Sequence, residues 1–197
     1  MMPCFEEQLA VISESFNALS EEQFRSLAGR CTEVLKSGGK IIASGLGKNV
    51  PICEKFVGTM NSLGMDARFL HTNSAIHGDL GMVFPGDFVL MLSKSGNTAE
   101  SVTLVNHLLE RRTEVWLLSF NEESKLASML KNRIILHLKD EGDPWNIVPN
   151  NSTIIYLIFL QGLVMRIAEN MNVQLRDFAI NHPGGGIGEK LRNIHHA

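Results

Sequence analysis

The chain has 197 residues, of which 44% are hydrophobic and 20% charged, with a formal net charge of −3 at pH 7 and an isoelectric point near 6.2. That is enough apolar material for one substantial core, so a single domain over residues 1–197 is expected. The slightly acidic balance excludes an electrostatic drive toward nucleic acid or an anionic membrane, and any anionic ligand must be captured locally.

The first residues, MMPCFEEQLA, carry neither a basic run nor a long apolar one, which argues against a secretory leader and for a cytoplasmic protein. Cys4, Cys31 and Cys53 are odd in number and lack C-x-x-C spacing, so they read as ordinary thiols of a reducing compartment. Residues 5–36 predict two helices, the second opened by a capping box of Ser20 and Gln23. Five strands follow at Lys40–Ser44, Ala67–His71, Phe88–Leu92, Val115–Phe120 and Arg133–Leu138. Helical patterns at 51–63, 98–111, 122–130 and 151–169 separate and follow them. Most of the strands are continuous apolar runs, as burial on both faces requires. The alternation predicts an α/β fold: a doubly wound five-stranded parallel sheet flanked by helices, with N-terminal helices over 1–38, a core over 39–170 and a C-terminal segment over 171–197. The apolar run Ile154–Val164 is interrupted by Gln161 and soon followed by Arg166, too short for a bilayer and suited to a buried helix. Val50, Cys53, Phe56, Val57 and Met60 have helical spacing and read as core.

In such sheets ligands bind beyond the carboxyl ends of the strands, where the strand order reverses. Two strand exits are unusual. The first strand leaves through Ser44-Gly45-Leu46-Gly47-Lys48-Asn49, with Pro51 in the first helical turn, and the third through Ser93-Lys94-Ser95-Gly96-Asn97-Thr98. Neither completes a Walker pattern, and the first lacks the third glycine of a dinucleotide fingerprint. Alone, a G-x-G-K loop fits a tight strand-to-helix turn equally well. Together, the hydroxyls of Ser44, Ser93, Ser95 and Thr98, the N–H groups of Gly45, Gly47 and Gly96 and the amide of Asn97 make a neutral cup for a phosphate, helped by the positive end of a helix.

The S-x-S-G-x-T loop resembles the phosphate cup of SIS (sugar isomerase) domains, and the likeness extends over nearly the whole chain. GLGKN at 45–49, SAIHGDLGM at 74–82 and NHPGGGIGEKL at 181–191 resemble corresponding segments of the arabinose 5-phosphate isomerase branch. That resemblance implies the flavodoxin-like strand order and the interconversion of arabinose 5-phosphate and ribulose 5-phosphate. It also implies catalytic roles for Lys48, His77, Glu141 and His182, with Glu141 matched through the frame from Pro144 to Thr153. The reaction needs a base acting between C1 and C2, a group managing the two oxygens, and a donor or cation steadying the enediolate. Neither a metal nor a nicotinamide is implied, and His107, His137, His195 and His196 show no metal spacing. In the family, the residue matching His182 reaches a neighbouring subunit's pocket, which implies a homo-oligomer, read here as a tetramer with shared sites.

Each matched residue has a plainer reading. Lys48 is then a solvated loop lysine, His77 braces its own loop through Asp79, and Glu141 is a solvated charge in the acidic stretch 140–143. His182, set before Pro183-Gly184-Gly185-Gly186, reads as positioned. The chain also departs from the isomerase pattern. Asn97 stands where that pattern has a glutamate, and an amide takes no proton at neutral pH; Glu100 lies too far along the helix to replace it. The sequence stops soon after GEKL, so the paired CBS domains of many family members are not expected. A phosphosugar isomerase is therefore the leading expectation, with a hexulose-phosphate isomerase or a non-catalytic sugar-phosphate-binding regulator as alternatives.

Overall fold

The computed structural model describes residues 1–194; His195 and His196 lie outside the described residues. Helices α1 (Pro3–Asn17) and α2 (Glu21–Lys36) precede β1 (Ile41–Gly45), α3 (Asn49–Ser62) and β2 (Ala67–His71). A short α4 (Thr72–Ala75) and a 3-10 turn (Asp79–Met82) lead to β3 (Phe88–Leu92), α5 (Ala99–Glu110) and β4 (Glu114–Ser119). The chain continues through α6 (Lys125–Met129), β5 (Arg133–Ile135), α7 (Asn151–Met171), α8 (Leu175–Ile180) and α9 (Gly185–Ile194). All strand pairs are parallel, in the order β2-β1-β3-β4-β5, which is the flavodoxin-like doubly wound order.

The sheet's two faces build two cores, and β3 shows how the sequence sorts them. Phe88, Leu90 and Leu92 point into the cluster formed with α1, α2, α3 and α7, whereas Val89 and Met91 point into the cluster formed with α4, α5 and α6. All five residues of β3 are buried, which is why its sequence is continuously apolar. On the α7 face the predicted helical stripe is largely core, with Cys53, Phe56 and Met60 fully buried. Burial pushes the Cys53 thiol up to about 12 and the Cys31 thiol higher still, so neither is a reactive thiolate.

Several boundaries differ from the sequence expectation. The fifth strand ends at Ile135 rather than Leu138: the Leu136 N–H still donates to the Ser119 carbonyl at 2.8 Å, but His137 then turns outward to Glu14, 3.1 Å away. The helix expected at 122–130 is only Lys125–Met129, begun by Ser124 Oγ accepting from the Ala127 N–H at 3.2 Å. Ser20 accepts from the Gln23 N–H at 3.3 Å, the first half of the expected capping box. Helix α7 runs 21 residues, so by length and composition it is able to cross a membrane, contrary to the argument from its apolar run. Its Ile155, Phe159, Leu160, Leu163 and Val164 are nonetheless buried in the core against the sheet, as a central helix requires. Helices α8 and α9 are additions to the elements expected from the sequence.

Candidate active site

The strand order reverses between β1 and β3, and a cleft of about 580 Å³ opens there at the carboxyl edge of the sheet. It is flanked by the loop after β1, the loop after β3 and the first turns of α5 and α7, with Gly47, Lys48, Ser93, Lys94, Ser95 and Thr98 among its lining.

The side nearer α5 is a neutral cup. Ser93 Oγ accepts from the Gly96 N–H and Ser95 Oγ from the Asn97 N–H, both at 3.2 Å, and these two turns curl the chain back on itself. Gly96 has φ +63°, and a Cβ there would collide with the Ser124 side chain, so glycine is required on both counts. Thr98 then opens α5 in an extended conformation without using its hydroxyl as a cap. The first-turn N–H groups of α5 therefore face the cup unsatisfied by their own helix, beside the hydroxyls of Ser95, Thr98 and Ser101.

The side nearer α7 is charged. Lys94 Nζ lies 2.5 Å from Glu141 Oε1, with the lysine 39% exposed and the glutamate 0%. Glu141 Oε1 also accepts from Ser152 Oγ at 2.6 Å, while Oε2 accepts from the Ser152 N–H at 2.9 Å and the Asn150 N–H at 3.0 Å. The carboxylate thus sits on the positive end of α7 and all of its lone-pair positions are filled. Burial alone would raise its pKa, but Lys94 and the donors from Ser152 and Asn150 outweigh that and hold it below the ordinary carboxylate value.

The remaining sequence-selected residues separate into three groups. Lys48, at the head of α3, is exposed at the mouth of the cleft and makes no ion pair among the described residues. Ser44 and Gly45 do not line the cleft: Ser44 is fully buried with its hydroxyl 3.2 Å from Thr72 Oγ1, and Gly45 lets β1 pass Asn49 and Cys53 closely. Asn97 also turns away, its Oδ1 accepting from the Lys125 N–H at 2.9 Å. Glu141 is not the solvated charge of the plainer reading, nor does it face the cleft as a free base; it lies beneath the floor.

Both histidines stand outside the cleft of their own chain. His77 is exposed on the other flank of α5, in a hollow of about 500 Å³ shared with Asn73, Glu100 and Thr103, and no hydrogen bond joins it to Asp79. His182 follows α8. Helix α7 starts at the cleft and extends about 30 Å before α8 begins, and Asn181 Nδ2 donates to the Ser62 carbonyl at the far end of α3. His182 is therefore at the opposite end of the molecule from its own cup. Its ring stacks on Phe178 at 3.9 Å, and Nδ1 donates to the Phe178 carbonyl at 2.8 Å, while Nε2 has no hydrogen-bond partner among the described residues.

Sequence reading missed Lys94, Ser101, Ser152 and Thr153 as lining residues. The signal for Lys94 was present. Continuing the β3 alternation past Leu92 puts Ser93 and Ser95 on the α5 side and Lys94 on the α7 side. Among the described residues, no group of three or more His, Cys, Asp or Glu side chains is placed to hold a metal ion.

The fold is a doubly wound α/β domain with a hydroxyl-lined cleft at the switch point of its parallel sheet. Residues 34–161 match the SIS domain model, and the chain belongs to that family. It is 36% identical over 163 residues to an arabinose 5-phosphate isomerase, KdsD, of Pseudomonas aeruginosa, covering 82% of this chain and 49% of that one. The chain spans about half the length of the curated relatives it matches. Among solved structures it is similar to a putative sugar-phosphate isomerase of Listeria monocytogenes, with a TM-score of 0.85 and 25% identity over 92% of this chain and 93% of that one. It is also similar to the c3406 protein of E. coli CFT073, solved in complex with arabinose 5-phosphate, with a TM-score of 0.83 and 28% identity over 91% and 94% of the two chains.

Proposed function

We propose that the protein is an aldose–ketose isomerase acting on a phosphorylated sugar, with D-arabinose 5-phosphate and D-ribulose 5-phosphate as the pair. The observation that carries this reading is the two-sided cleft: a neutral phosphate cup at α5 faces Lys48 and Lys94 within one opening. A phosphate held at the cup directs the sugar across the sheet edge toward the two ammonium groups, where an enediolate would gain charge stabilisation. The similarity to a named arabinose 5-phosphate isomerase supports the choice of pentose. Proton transfer between C1 and C2 falls to His182 of another copy, through its free Nε2, and His77 of a neighbouring copy polarises a sugar oxygen. Groups donated across an interface must stand outside their own cleft, as both do. The assembly is a homotetramer of the cytoplasm, and the chemistry uses no metal or nicotinamide.

A second reading, a regulator that binds a sugar phosphate without converting it, is favoured by one observation: among the described residues no carboxylate lines the cleft. Incubation in deuterium oxide with phosphorylated pentoses and hexoses, followed by NMR, decides between them. Deuterium entering C2 of arabinose 5-phosphate or C1 of ribulose 5-phosphate supports the proposal. Exchange only in a hexulose phosphate moves the substrate to hexoses, and binding without exchange to any sugar establishes the regulator.

A further inference from the structure

We infer that Lys94 is the cation that meets the reacting oxygens of the sugar, and that Glu141 is the positioning residue that aims it. The inference rests on the isomerase reading for its chemistry, but on local geometry for its assignment.

Lys94 stands in the middle of the phosphate loop and yet does not belong to the phosphate side. Phe88, Leu90 and Leu92 face the α7 core, and the next residue in that register is Lys94; Val89 and Met91 face the α5 core, and the next residues in theirs are Ser93 and Ser95. The loop therefore divides its side chains, hydroxyls toward the helix that receives phosphate and the ammonium toward the place where the rest of the sugar must lie. There Nζ is 2.5 Å from Glu141 Oε1, and the lysine remains 39% exposed in the cleft lining while the carboxylate is fully buried. Glu141 is itself fixed by three donors at the head of α7, one from its N-cap Asn150 and two from Ser152.

Such an arrangement orients a cation without consuming it. An ammonium has three protons, one directed at Glu141, and the partly exposed head has the others to offer an oxygen in the cleft. A carboxylate whose acceptor positions are all taken is a poor candidate to remove a carbon-bound proton, since it would have to surrender Lys94 and Ser152 first. It is well suited to neutralising a lysine in the absence of substrate and holding it in one place, so that charge appearing on the sugar oxygens meets a preorganised partner.

The test has a binding arm and a turnover arm. Calorimetry compares 5-phospho-D-arabinonate, which carries a negative charge at C1, with D-arabitol 5-phosphate, which does not. The parent should prefer the arabinonate, and Lys94→Met should weaken it by about tenfold or more while leaving the arabitol phosphate within about twofold. No preference in the parent, no change in the variant, or equal loss of both ligands overturns the inference, the last by making Lys94 a phosphate ligand. In turnover of arabinose 5-phosphate, Lys94→Met should lower kcat by about 10²–10³-fold with little change in KM, and Lys94→Arg should restore part of it. Lys94→Met combined with Glu141→Gln should fall no further than Lys94→Met alone, since one device is being removed. A much lower double variant means that Glu141 acts independently and overturns its positioning role. If the parent turns over no phosphosugar, the isomerase reading fails and the binding arm still decides the role of Lys94.

Discussion

Asn97 Oδ1 accepts a hydrogen bond from the backbone N–H of Lys125 at 2.9 Å, tying the loop after β3 to the first residue of α6. The residue that the resemblance sets against a glutamate is thereby occupied with structure and turned from the cleft. Asn97→Ala should cost about 0.5–1.5 kcal/mol in denaturant unfolding, with phosphosugar affinity almost unchanged. Asn97→Glu should find the same N–H and leave exchange at C1 and C2 within a few-fold of the parent. If instead the parent exchanges nothing and Asn97→Glu gains exchange, the natural protein is a binder built on an isomerase fold.

The cup depends on hydroxyls placed by two tight turns. In the proposed enzyme Ser95→Ala removes a donor to the phosphate and should weaken arabinose 5-phosphate binding by about 1.5–3 kcal/mol, roughly ten- to a hundredfold in Kd. Ser95 is exposed, so the melting temperature should barely move. Equal calorimetric affinities for variant and parent would remove the cup from the α5 side.

Glu141 couples the cleft to acid stability. Its folded-state pKa lies below the unfolded value, so the folded protein holds fewer protons there, and the ionised carboxylate contributes stability above the ordinary carboxylate range that is lost as pH falls through the folded pKa. Glu141→Gln should therefore be less stable than the parent at pH 7, and the gap should narrow progressively below about pH 4.3. Urea titrations at a series of pH values from neutral to acidic measure it, and a gap that stays constant would show that the charge on Glu141 is not what stabilises the loop.

The fold was legible because β-strands buried on both faces must be continuously apolar, as Phe88–Leu92 is, and because Gly45 and Gly96 mark strand exits that a Cβ would obstruct. The strand end at Ile135 was not legible, since Leu136 and Leu138 keep the apolar text going after the backbone has left the ladder. The GGGIG stretch reads as loop by propensity, yet Gly185 begins α9, with tertiary context overriding the glycine penalty. The site was half legible. Ser93, Ser95 and Thr98 could be chosen by chemistry, but Ser44 and Asn97 carry the same chemistry and spend it on Thr72 and Lys125. Local charge density around Asp140-Glu141-Gly142-Asp143 suggests solvent, and only the three-dimensional closure of the loop under α7 buries Glu141.

The position of His182 gives the assembly a direct test. It lies at the far end of α7 from its own cup, so in the proposed enzyme each site takes its cup and Lys48 from one chain and its imidazole from another. His182→Ala should lower turnover by about 10²–10⁴-fold while leaving phosphosugar binding intact, and Lys48→Met should impair the same site from the other side. Each variant alone is then defective in every site. When the two are co-expressed with different tags and the hybrid is isolated, a paired site can draw a native cup from the His182→Ala chain and a native imidazole from the Lys48→Met chain. With random pairing, about a quarter of all sites regain both groups, and turnover should recover to about that fraction of the parent. If the hybrid is no more active than either variant alone, or if the parent sediments as a monomer that still turns over substrate, His182 does not act across subunits and the shared-site assignment falls.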